Sequence, residues 1–122
     1  GNYLSSQVTN CYGAILAQVN HLDSIYQPKS HLKELYIDLT ELAYCLLEQN
    51  EEHAYLGIEQ MYKSLEEVGK QVSLNRARQK EIDYILGEIK THLEFLAMQL
   101  HTHPFSTRST AFHVTSRNIS GL

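Results

Sequence analysis

The chain has 122 residues, 43% of them hydrophobic and 20% charged, and ten Lys/Arg against fourteen Asp/Glu give a formal net charge of -4. That length supports one hydrophobic core and no second domain, and the acidic balance excludes a binder that holds nucleic acid through an overall basic field. No apolar run reaches the roughly 18 residues of a membrane span, and Cys11 and Cys45 are too few and too far apart for a disulfide framework or a zinc motif, so a soluble protein in a reducing, cytoplasmic setting is expected.

The first stretch, Gly1-Asn-Tyr-Leu-Ser5, fits the N-myristoylation pattern. Five residues are a weak match, so a lipid anchor at Gly1 is the lesser alternative to a cleavage or fragment boundary. Helix 1 is expected over about residues 3–26, because Leu4, Val8, Cys11, Ile15, Val19, Leu22 and Tyr26 recur at steps of three and four. Pro28 ends it and Ser30 is placed to cap helix 2, expected over about 31–48 with a seam of Leu32, Leu35, Leu39, Leu42 and Leu46.

Residues 48–52 contain no apolar member, and Asn50 is placed to cap helix 3, with Glu51 and Glu52 favourable in its first turn. Helix 3, about 51–70, carries Ala54, Ile58, Met61, Leu65, Val68 and Val72 at heptad-like spacing; helix 4, about 75–102, carries Ile82, Ile85 or Leu86, Ile89, His92 or Leu93, Leu96 and Leu100 and is stopped by Pro104. Gly13, Gly57 and Gly87 fall inside these helices, where each costs up to about 1 kcal/mol relative to alanine, and they are read as marks of close helix contact. Short connections force sequential helices to run antiparallel. The expected fold is therefore all-α: an up-down-up-down antiparallel four-helix bundle over residues 1–103, followed by an irregular C-terminal tail, 104–122.

This topology gathers the start of helix 1, the turn between helices 2 and 3, and the end of helix 4 at one end of the bundle. Cys45, His53, His101 and His103 meet there on paper, with glutamates nearby, and thiolate and imidazole are zinc ligands. No HExxH, CxxC or paired ExxH spacing supports a metal, so no cofactor is expected, and a zinc or small-ligand site with hydrolytic chemistry is the alternative. At the other end, Lys70, Arg76, Arg78 and Lys80 form a stretch without an intervening acid that would suit an anion or an acidic partner. Tyr36 and Tyr62 each follow a seam residue and flank the core, whereas Tyr44 and Tyr55 fall further from it, where a tyrosine suits a protein interface.

The tail contains Phe105, Phe112, Val114 and Ile119 together with Arg108 and Arg117, and no acid. Such a segment is expected to pack on the bundle or on a second copy. Arg108 and His113 match the Arg-x4-6-His spacing of the HEPN ribonucleases, but they lie beyond Pro104 rather than on a predicted helix. The His31-Leu-Lys-Glu stretch resembles the start of the phosphorylated segment in His-containing phosphotransfer domains, with bulky Leu35, Tyr36 and Ile37 where that family has small residues. Neither likeness extends far enough to assign a family. The reading that follows is a non-enzymatic helical interaction module, of adaptor, regulatory or immunity type. It binds a protein partner or a second copy through a helix face and the tail, with Tyr44, Tyr55, Phe105, Phe112 and Val114 as candidate contacts.

Overall fold

The computed structural model describes residues 5–26, 30–72 and 78–102. Within them lie four helices and no strand: α1 (Ser6–Ile25), α2 (Ser30–Leu47), α3 (Glu51–Val72) and α4 (Gln79–Thr102). Helix contacts run around a ring, α1 to α2 to α3 to α4 and back to α1, with no contact across either diagonal among the described residues. The expected four-helix bundle is thus the fold.

Local chemistry sets each helix boundary. Ser5 is extended and its hydroxyl accepts from the Val8 amide at 3.2 Å, so α1 opens at Ser6 rather than near residue 3. At the other end Tyr26 returns to extended backbone, two residues ahead of Pro28. The α2–α3 connection is a closed unit. Gln49 sits at φ 56°, its amide bonds the Leu46 carbonyl at 3.0 Å, and the Asn50 amide bonds Cys45 at 3.1 Å, the paired bonds of a Schellman cap. Asn50 then accepts from the His53 amide at 3.0 Å, capping α3 as its side chain and position foretell, with Glu51 and Glu52 in the first turn. Helix α4 starts at Gln79, later than the expected residue 75; residues 73–77 lie outside the described set.

The apolar seams all turn inward. The α2 seam is buried, as are Ala54, Ile58, Met61, Leu65 and Val68 of α3, Ile82, Ile85, Leu86, Ile89, Leu93, Leu96 and Leu100 of α4, and Val8, Ile15, Val19, Leu22 and Tyr26 of α1, with Cys11 half-buried at the edge. Packing around the ring is uneven. The α2·α3 and α1·α4 interfaces are extensive, α3·α4 is thinner, and α1·α2 is the sparsest. In the tight α2·α3 interface a methyl group built on Gly57 would sit 3.2 Å from Leu42 Cδ1, so glycine there permits the close approach.

Tyrosines bridge the two thin interfaces. Tyr12 donates to the Leu39 carbonyl at 2.8 Å and Tyr36 to Asn20 Oδ1 at 2.7 Å, joining α1 and α2. Tyr55 and Tyr62 reach the Ala97 and Lys90 carbonyls, both at 3.4 Å, joining α3 and α4. From Tyr55 to Tyr62 is one heptad up α3, and from Ala97 to Lys90 one heptad down α4, which fixes the antiparallel register.

Candidate functional site

Among the described residues, one polar pair is buried between helices. Asp38 of α2 is 5% exposed and Ser64 of α3 is 8% exposed, and the serine hydroxyl donates to Asp38 Oδ2. Burial pushes the Asp38 carboxyl above the usual range; the Ser64 hydrogen bond pulls it back, while Glu34 and Glu41, one turn away on either side, push it further up. A serine and an aspartate in contact could in principle serve as nucleophile and base, but both are enclosed by the α2·α3 interface. Their role here is to tie two helices together.

The residues singled out from the sequence scatter differently. His53 is exposed, its Nδ1 lying 3.0 Å from Asn50 Nδ2 at the α3 cap; His101 is exposed in the last turn of α4; Cys45 is half-buried. Burial, followed by Glu48 and Glu41, raises the Cys45 thiol pKa, and burial raises that of Cys11, so neither favours the thiolate. Both cysteines are free. Among the described residues no three His, Cys, Asp or Glu come together as a metal site, and His103 lies outside them. Of the basic stretch, Lys70 pairs with Glu67 at 3.3 Å and Arg78 with Glu81 at 3.1 Å; Lys80 is exposed and Arg76 lies outside the described residues. Acids one turn away on the flanking helices therefore meet two of the cations that the sequence shows without acids between them.

Tyr44 stands 63% exposed on α2, whereas Tyr55 is half-buried with its hydroxyl committed to α4. Phe105, Phe112, Val114, Arg108 and His113, like Gly1, fall outside the described residues.

The surface that stands out belongs to α1. Its outward positions Ser6, Asn10, Gly13, Ala17, Asn20 and Ser24 follow at steps of four and three, all exposed, and no exposed residue of α1 is Asp, Glu, Lys or Arg. Its one charged residue, Asp23, is half-buried. A solvated helix face is ordinarily rich in charge, as α3 is with Glu59, Lys63, Glu66, Glu67 and Lys70. Large apolar side chains flank the uncharged face. Leu16 lies one turn beyond Tyr12 on the α2 side. On the neighbouring helix α4, Tyr84 and Phe95 are exposed, and the Tyr84 hydroxyl donates to Glu88 Oε1 at 2.9 Å. Ile37, Tyr44 and Leu47 are exposed on α2 and Met98 on α4, against Leu56 alone on α3 among the described residues. Helix α3 thus carries a charged outer face and α1, diagonally across the ring, an uncharged one.

Gly13 is legible in the sequence as a glycine inside a helix, but the face around it carries no motif. The signal was available in the missing charge: residues 1–22 contain no Asp, Glu, Lys or Arg. No described helix is long and apolar enough to cross a membrane. Comparison with protein-family models, curated proteins and solved structures finds no match to the chain.

Proposed function

We propose that the chain is a non-enzymatic helical interaction module, of adaptor, regulatory or immunity type, that binds a protein through the α1 side of the bundle with the C-terminal tail as a second contact. The observation that supports this is the uncharged outer face of α1 set between exposed apolar side chains of α2 and α4. Removing such a face from water costs no desolvation of charge, and protein interface cores are depleted in charged residues and enriched in aromatics. Tyr44 is exposed on the neighbouring helix α2; Phe105, Phe112 and Val114, in a tail with two arginines and no acid, would add apolar contact and positive charge. A reducing, cytoplasmic setting suits the two unpaired thiols.

The test places a photo-crosslinking amino acid at Ala17 on the uncharged face or at Glu59 on α3 and irradiates intact cells. Discrete protein adducts at position 17 that are absent at position 59 are expected. Absence of adducts at position 17 overturns the reading.

A further inference from the structure

The outer face of α1 reads the same from both ends. In order it presents Ser6, Asn10, Gly13, Ala17, Asn20 and Ser24: serine, asparagine, small, small, asparagine, serine, evenly placed about Ile15. Ile15 is fully buried beneath the centre of the face. Among the described residues, a methyl built on Gly13 meets nothing within 4 Å, in contrast to Gly57, where Leu42 crowds the position.

Building on the interaction-module reading, we infer that the occupant of this face is a second copy of the chain, docked α1 against α1 in antiparallel fashion about a two-fold axis at the level of Ile15. A two-fold interface brings one patch against itself, so it must be self-complementary. Antiparallel pairing does this residue by residue: Ser6 faces the Ser24 position of the other copy, Asn10 the Asn20 position, and Gly13 the Ala17 position. Asparagine amides donate and accept, so each Asn10–Asn20 pairing can be satisfied. At Asn20 the Tyr36 hydroxyl donates to Oδ1 at 2.7 Å, which leaves the NH2 group as the donor for the pairing.

Charge selects the same occupant. The chain carries a net -4, and pairing through the Glu-rich α3 face would oppose like charges, whereas α1 opposes none. The 4-3-4-3-4 spacing is a heptad seam, suited to packing at about +20°, and small residues at its centre let two backbones approach closely. One helix of about 30 Å offers a narrow strip, so the exposed Phe95 and Tyr84 of α4 and Leu16 of α1 are needed to widen the interface toward the roughly 800 Å² per partner of a stable complex.

The experiment uses the purified full chain in sedimentation equilibrium and light scattering. A dimer is expected, weakened at least about 100-fold by Ala17→Glu, which buries a charge at the axis, and unchanged by Leu56→Glu on α3. Orientation is tested by two double variants whose helicity is checked by circular dichroism. Asn10→Lys with Asn20→Glu sets opposite charges face to face in the antiparallel pair and retains the dimer; Asn10→Lys with Asn20→Lys dissociates it. A monomer at about 100 μM, a dimer indifferent to Ala17→Glu, or dissociation of both double variants overturns the inference. If the chain is monomeric yet position 17 crosslinks to a different protein in cells, the self-pairing fails and the interaction-module reading stands; with no adduct in cells either, both fail.

Discussion

Tyr12 of α1 donates its phenol hydroxyl to the backbone carbonyl of Leu39 in α2 at 2.8 Å, across the sparsest interface of the bundle. Where backbones lie too far apart for leucine seams to mesh, a long side chain with a polar tip spans the gap. Tyr12→Phe, which keeps the ring and removes the hydroxyl, should lower unfolding free energy in urea by about 1 kcal/mol. Tyr55→Phe and Tyr62→Phe, which lose only 3.4 Å bonds, should each cost less, about 0.5 kcal/mol. Equal losses for all three would show that hydroxyl geometry does not set their contribution.

Asp38 gives stability a defined pH dependence. Because its carboxyl titrates above the ordinary value in the folded chain, the native state binds the proton more readily than the unfolded state. Its contribution is therefore fully present below the unfolded pKa of about 3.9 and is lost as pH rises through the folded pKa. Asp38→Asn keeps an acceptor for Ser64 and removes the buried charge together with its repulsion from Glu34 and Glu41. The variant should be more stable than the parent by about 1 kcal/mol at pH 7, with the gap narrowing as pH falls toward 4. Melting curves across that range check it, and a variant less stable than the parent at pH 7 would contradict the account.

Two glycines inside helices should respond in opposite ways to the same substitution. Gly13→Ala adds a methyl into open space and should stabilise the fold by up to about 1 kcal/mol through helix propensity. Gly57→Ala must displace Leu42, whose Cδ1 lies 3.2 Å from the added methyl, so the gain should be cancelled or reversed. Urea titrations at dilute protein concentration, where association does not contribute, compare the two. A matched gain at both positions would mean that α2 and α3 yield freely.

The α2–α3 turn holds a conformation that its sequence fits only partly. Gln49 occupies the left-handed region without being glycine, so Gln49→Gly should stabilise by about 0.5 to 1 kcal/mol. Asn50→Ala removes the acceptor of the His53 amide and should cost about 1 kcal/mol. Thermal melts of the two variants should shift in opposite directions; a shared direction would refute this assignment of roles.

Much of the fold is legible in the residues because the leucine, isoleucine and valine spacing leaves each helix one face to bury, and Asn50 and the prolines punctuate the chain at recognisable places. The candidate site was harder to read. The groups that carry chemistry, His53, His101, Cys45 and the cations, have recognisable side chains, yet His53 serves a helix cap and Lys70 and Arg78 meet acids one turn away. A surface defined by what it lacks, such as the face of Asn10, Gly13 and Ala17, carries no positive signature, although its missing charge was visible throughout.

Sequence alone determined that four helices form, which stripe of each turns inward, and that their order alternates up and down, because periodicity and short connections act locally along the chain. Tertiary structure decided which interfaces are tight and which are thin, that Tyr55 points to α4 while Tyr44 remains free on α2, and that Asp38 meets Ser64 out of water. Those outcomes depend on distances between helices far apart in sequence. Small steric facts set such distances, among them the glycine at position 57 beside Leu42, and they take effect only once the helices have packed.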